Sequence, residues 1–219
     1  MTILCATEAA PLAALWAKAA REELVVQPQL ALDARASLVV LSGFDSATDG
    51  VARACRAPLL VVRAPQPLEQ WLSGKSKLKV AVAYDPSPTG DAALAWANGL
   101  ARIAPVELVA LHSYGILAER EKRGIDGPLP IGTVDERIEA PLAAELRRRI
   151  GGLALVLRGG LGRPADQLVE MAAEAGAGLL VVGNHHRRKL ERAWKGSVSR
   201  GLIELAKCSV ACISVNEPG

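Results

Sequence analysis

The four apolar residues Leu179, Leu180, Val181 and Val182 run directly into Gly183-Asn184-His185-His186. A basic segment follows, with Arg187, Arg188, Lys189, Arg192 and Lys195 set against the single acid Glu191. Gly196-Ser197-Val198-Ser199 then opens a second apolar segment with helical spacing. The first run reads as a buried parallel strand that Gly183 breaks. Small residues at a helix start, reached from a strand through a loop, are how α/β proteins assemble an anion site. Unpaired backbone N–H groups and the positive end of the helix dipole meet there, and both favour a phosphate. A solvated loop explains the same cations without any ligand, so the chemistry needs support from elsewhere in the chain.

Strands and helices must bring other groups to that loop. Lys79 to Tyr84 reads as a strand, ended by Asp85-Pro86, and Ser87 or Thr89 can cap a helix running to about Arg102. Val106 to Leu111 is a second strand with His112 at its carboxyl end, and Leu153 to Leu157 is a third. A Gly- and Pro-rich loop from Gly124 to Gly132 separates the second strand from a helix over about 134–150. Gly162-Arg163-Pro164 opens the next helix, and Val210 to Val215 is the last strand. Strands alternating with helices predict right-handed crossovers and an α/β, doubly wound parallel sheet. Ligands of such sheets bind beyond the carboxyl ends of the strands, where Asp85, His112 and Gly183 would gather.

The first 65 residues run through a shorter version of this pattern. Ile3 to Glu8 and its helix parallel Val80 to Asp85 and its helix. Ala36 to Leu41, followed by Pro58 to Val62, parallels Gly178 to Gly183 followed by the last strand. The middle of the unit is missing, and Glu8 stands where the later copy has Asp85. The expected organisation is therefore a smaller degenerate α/β repeat over 1–65, a linker over 66–76 marked by Pro67 and a polar, basic run, and a full domain over 77–219.

Composition narrows the function classes. The net charge of +3 and an aromatic content of 3% argue against a nucleic-acid surface, which wants a broad basic face with interleaved rings. No apolar run is long enough for a membrane span, and the start lacks the features of a signal peptide, so the expected location is cytoplasmic. Cys5, Cys55, Cys208 and Cys212 have no CxxC or metal-ligand spacing and read as small buried hydrophobes. His112, His185 and His186 could converge with Asp85 on a metal, but no spacing motif supports it. No Ser-His-Asp or Cys-His arrangement has catalytic spacing, so an enzyme is not expected.

Gly183, nine intervening residues from Arg187 to Lys195, then Gly196-Ser197, together with Asp85 and Leu111-His112, resemble the motifs of the universal stress protein family. The resemblance covers about residues 76–216 and, more loosely, 1–65, as in tandem members. It implies a Rossmann-like sheet of strand order 3-2-1-4-5 and a regulatory module that binds ATP or a related adenine nucleotide, with Mg²⁺ accompanying it. Carried over residue by residue, it implies a pocket formed by Tyr84, Asp85, Ser113, Val182, Gly183, His185, His186, Gly196, Ser197, Val198 and Ser199. Asp85 would lie beside the ribose or adenine, and Gly196 to Ser199 would cradle phosphates. His186 stands where the family has its second glycine. The imidazole either adds a donor to the phosphate path or closes it, and the latter leaves a nucleotide-free interaction or dimerisation protein. The last strand would lie at a sheet edge, suited to pair with Leu59 to Val62 of the first repeat or with a second copy of the chain in a homodimer.

Overall fold

The computed structural model describes residues 2–27, 36–129, 134–184 and 197–215. The described strands form a single nine-stranded sheet of order β2-β1-β3-β4-β9-β8-β5-β6-β7. Its N-terminal half comprises β1 (Thr2–Cys5), β2 (Glu23–Val26), β3 (Leu38–Ser42) and β4 (Leu59–Val62), all parallel. The C-terminal half comprises β5 (Leu78–Ala83), β6 (Val106–Gly115), β7 (Ala154–Gly160), β8 (Leu179–Asn184) and β9 (Ser209–Ser214), also parallel. Taken alone, that half has the expected 3-2-1-4-5 order. The halves join where β4 runs antiparallel to β9, with Leu59 opposite Cys212, Leu60 opposite Ala211 and Val61 opposite Val210. Strand β4 therefore takes the edge of β9, which is the intramolecular alternative of the two pairings expected for the last strand.

Helices cover both faces. On one lie α1 (Ala10–Ala20), α3 (Pro65–Leu72), α4 (Pro88–Gly99) and α6 (Glu136–Ile150), whose apolar residues join Ile3, Leu60, Val80, Val82 and Leu179 in one core. On the other lie α2 (Ser46–Ala54), α7 (Pro164–Glu174) and α8 (Val198–Leu205), packed on Leu4, Val61, Ala81, Leu180 and Val210. Both cores run through the two halves without interruption. Among the described residues no helix is long and apolar enough to cross a membrane.

Four sequence expectations change. The segment expected to be a linker over 66–76 holds most of α3, with Leu68 and Trp71 fully buried. Pro65 and Pro67 sit in its first turn, where a missing N–H costs nothing, so they begin a helix rather than break one. The Trp71 ring meets Trp16 edge-on at 5.3 Å, and Trp16 stacks on Trp96 of α4 at 6.3 Å, so three tryptophans tie the helices of the two halves together. Strand β6 does not end at Leu111: it pairs with β7 as far as Gly115 opposite Gly160, which places His112 and Ser113 within the ladder. Gly183 does not break β8 either, since it pairs with Ile213. A further helix, α5 (Ile116–Lys122), follows β6. The excursion after it is pinned by Arg120, a buried side chain that donates to Asp135 at 2.9 Å and to the Gly127 carbonyl at 2.7 Å.

Candidate functional site

The carboxyl ends of β5, β6 and β8 lie side by side, the start of α8 is bonded to the end of β8, and the local reasons can be followed strand by strand. Strand β5 continues the ladder through Tyr84, whose N–H donates to the Leu111 carbonyl at 2.8 Å. The chain then turns: the Ser87 N–H donates to the Asp85 carbonyl at 2.8 Å, and Ser87 Oγ caps α4 by accepting from the Gly90 N–H at 3.1 Å. Asp85 folds over Gly90 so closely that a Cβ there would lie 2.0 Å from the Asp85 carbonyl oxygen and 2.7 Å from its Oδ1. The Asp85 carboxylate is half-buried and has no hydrogen bond or ion pair among the described residues.

Gly183 has a spatial role. A Cβ on it would lie 2.6 Å from the Thr89 carbonyl oxygen and 2.9 Å from Thr89 Cβ, so the first turn of α4 rests on the bare backbone of β8. The backbone of β8 then passes to Asn184, which is buried, and whose Oδ1 accepts from Ser199 Oγ at 3.2 Å. Ser199 Oγ also lies 3.3 Å from Ser197 Oγ. Ser197 is the N-cap of α8, its Oγ accepting from the Arg200 N–H at 3.1 Å. The first-turn N–H groups of Val198 and Ser199 have no intrahelical acceptor and point out of the helix start, with the positive end of the dipole behind them.

On β6, Ser113 Oγ donates to Gln167 Oε1 at 2.5 Å, and the Gln167 amide lies across Gly160, where a Cβ would come within 1.6 Å of it. His112 donates through Nδ1 to the Tyr84 carbonyl at 2.8 Å, because a carbonyl can only accept. That bond stitches the ends of β5 and β6 together. Among the described residues no group of three or more His, Cys, Asp and Glu could hold a metal ion.

Of the residues expected at the pocket, Asp85, Ser113 and Gly183 stand at or near the carboxyl ends of the neighbouring strands β5, β6 and β8, and Ser197, Val198 and Ser199 form the start of α8, which is bonded to β8 through Asn184. Tyr84 and Val182 contribute main chain alone. The Tyr84 ring turns into the core, where its hydroxyl donates to Asp91 at 2.7 Å; burial, reinforced by that carboxylate, pushes the phenol up to about 12. The Val182 side chain packs in the core on the opposite face. His185, His186 and Gly196 lie outside the described residues. Asn184 and Gln167 are the site residues not singled out in the sequence. Asn184 could have been found from its place next to Gly183, whereas Gln167 carries no local signal, because α7 alone brings it to Ser113.

Comparison with known proteins bears on the family and the fold. Residues 78–214 match the model of the universal stress protein family. Two universal stress proteins of Mycobacterium tuberculosis are each 28% identical to the chain, one over 168 residues and the other over 165. Each match takes in 75% of this chain and 54% of the relative, so the chain spans about half the length of the curated relatives it matches. Among solved structures, a universal stress protein from Archaeoglobus fulgidus superposes with a TM-score of 0.58 at 19% identity, covering 94% of this chain and 75% of that one. A functionally unknown protein from Pseudomonas aeruginosa gives 0.62 at 14% identity, covering 97% and 81%. These two likenesses speak for the fold. With the family model spanning most of the chain, the protein belongs to the universal stress protein family.

Proposed function

We propose that the C-terminal half is a regulatory module that binds an adenine nucleotide, with ATP accompanied by Mg²⁺ as the ligand, at the carboxyl ends of β5, β6 and β8. The observation that carries this reading is the half-buried Asp85 carboxylate, unpaired among the described residues, just past the end of β5 and beside β8, whose Asn184 is bonded to Ser199 at the start of α8. In this reading Asp85 accepts from the ribose hydroxyls, and the main chain at Ser113 lies near the base. Gly183 and His185 line the floor, and Gly196, Ser197 and the Val198 and Ser199 N–H groups receive the phosphates. His186 then adds a donor to the phosphate path. The residues present suit a metal that takes phosphate oxygens as its ligands rather than one held by a protein cluster. The module is read as a binding protein and not as an enzyme. Any switching must come from nucleotide binding one arrangement of the 185–196 loop more tightly than another.

The first 65 residues are read as a shortened repeat that stands where a second subunit would otherwise pair with β9. This favours a chain that supplies its own partner over a homodimer built through the last strand.

Calorimetry with Mg²⁺ and ATP on the whole chain tests the reading. Removing a hydrogen bond to a charged group weakens binding by about tenfold to a hundredfold. Asp85→Ala is therefore expected to raise Kd by that much in a protein that still folds. Absence of binding to the unmutated chain at high concentrations of both components, confirmed by a second assay, would refute the nucleotide reading and favour the interaction protein.

A further inference from the structure

We propose that Arg63 and Asp49 of the N-terminal half are positioning residues for α8, so that the phosphate affinity of the C-terminal half depends on its being docked to the N-terminal half. The inference rests on the nucleotide reading above. Helix α8 has only eight residues, too few to hold its own axis, and its start is what receives the phosphates. On one side it is packed against α7, where a Cβ on Gly201 would come within 2.7 Å of Ala165 Cβ. Away from α7, and apart from the Ser199–Asn184 bond at its start, the polar side-chain contacts described for α8 with other elements come from Arg63 and Asp49 of the first 65 residues.

The carboxyl end of a helix leaves its last carbonyls without intrahelical donors. In α8 the Leu202 carbonyl is satisfied by the Ala206 N–H at 2.9 Å, while those of Ile203 and Glu204 receive Arg63. The Arg63 guanidinium donates to the Ile203 carbonyl through Nε at 3.0 Å and Nη2 at 2.6 Å, and to the Glu204 carbonyl at 3.3 Å. A fixed cation at this end satisfies the orphan acceptors and complements the helix dipole at once. The Arg63 main chain is itself fastened to β9, because its N–H donates to Ser209 Oγ at 3.3 Å and Ser209 Oγ donates to the Ala64 carbonyl at 3.3 Å. Ser209 is fully buried. Near the other end of α8, Arg200 Nε meets Asp49 of α2 at 3.1 Å while its Nη2 reaches Glu204 at 2.7 Å. The N-terminal half therefore grips α8 at its C-terminal carbonyls and at its first turn, and the direction in which the Val198 and Ser199 N–H groups point follows from that grip.

The test compares ATP with adenosine, which lacks the groups that α8 would receive. Both are titrated by calorimetry, with Mg²⁺, into the whole chain and into Arg63→Ala, Arg63→Lys and Asp49→Asn. Couplings between sites of this kind lie at about fivefold to a hundredfold. Arg63→Ala is expected to weaken ATP by about tenfold and adenosine by less than twofold, with Arg63→Lys in between, because an ammonium replaces the charge but not the fork. Asp49→Asn is expected to shift ATP in the same direction by a smaller factor. Should Arg63→Ala not fold, the other two variants carry the same comparison. Equal losses for ATP and adenosine, or no loss of ATP affinity in folded variants, would overturn the positioning role while leaving the nucleotide reading intact. An unmutated chain that binds neither ligand would overturn both.

Discussion

Gly183→Ala gives the most direct test of how the site is built. The added methyl would lie 2.6 Å from the Thr89 carbonyl oxygen, 2.7 Å from the Thr89 carbonyl carbon and 2.9 Å from Thr89 Cβ. Two of those atoms belong to the main chain of the first turn of α4, and Gly183 is itself fixed in the ladder opposite Ile213. No flexible side-chain end can swing away, so helix and strand must separate by several tenths of an ångström. Overpacking of that kind costs about 1–3 kcal/mol, and a contact against main chain belongs at the upper end. For a chain of this size about 2–3 kcal/mol lowers the melting temperature by about 5–10 °C. Gly160→Ala is the control. Its methyl would meet the tip of Gln167, a long side chain that can rotate, so the stability cost is expected below about 1 kcal/mol even though the nominal contact of 1.6 Å is shorter. Urea unfolding of both variants beside the parent, with thermal melts, reads the two costs. If Gly183→Ala unfolds with the parent, or if Gly160→Ala is the more damaging, the argument that main-chain approach makes Gly183 a glycine is wrong.

Three further outcomes follow from the packing and the electrostatics. Trp71→Ala is expected to cost about 3–5 kcal/mol in urea unfolding, and Trp71→Phe clearly less. Phenylalanine keeps a ring against Trp16 and removes an indole N–H that has no hydrogen-bond partner among the described residues; equal costs would contradict this. The hydrogen bond from Arg137, aided by the one from Arg120, holds the Asp135 carboxyl below its ordinary value. A depressed carboxylate stabilises the fold at pH values above about 3.9, its unfolded value, and that contribution disappears as pH falls through the lower folded value. Hydrogen exchange in the helices on either side of this pair, over 116–122 and 136–150, is thus expected to stay slow from neutral pH down to about 4 and to quicken below it; protection lost already near pH 6 would refute the assignment. Burial pushes the Cys55 thiol up to about 11 and Cys212 up to about 12, leaving at most about a thousandth of either as thiolate at pH 8. Alkylation of the folded chain should therefore reach half-buried Cys208 first, and equal labelling of the three would show that the seam between the halves opens.

The strands were legible in the sequence because buried parallel strands announce themselves as short apolar runs, and Leu38 to Leu41, Leu59 to Val62 and Leu179 to Val182 all do so. The pairing of β4 with β9 was also legible as one of two alternatives, since both runs needed a neighbour. Less legible were features set by contacts distant in sequence. Gly183 carries the local signature of a break, and only the approach of Thr89 shows why it lies inside a strand. Pro65 and Pro67 look like a linker until Trp71 is seen to need the core against Trp16. The end of β6 was misjudged because His112 and Ser113 are polar, yet the neighbouring Leu157 and Arg158 of β7 keep them in the ladder. Near the candidate site, the start of α8 after Ser197 was readable from residue type and spacing, whereas Gln167 reaches Ser113 only through the packing of α7. The Tyr84 ring illustrates the limit of position alone, because alternation along β5 sends it to the core while its carbonyl stays at the site.

The antiparallel seam also dictates the order in which the molecule can be finished. The contact between Arg63 and Ser209 spans 146 residues of sequence, and the β4–β9 ladder beside it is comparably distant. During synthesis at about 5–20 residues per second, β4 emerges long before its neighbour, and its hydrogen-bonding edge waits for seconds with nothing to pair with. An unpaired edge of Leu59, Leu60, Val61 and Val62, with no charge among them, is a template for another nascent chain. The N-terminal half is thereby a dependent unit, whose folding is completed by a strand made much later, and its yield in a cell would be sensitive to chaperone supply and to the pace of translation across the C-terminal half.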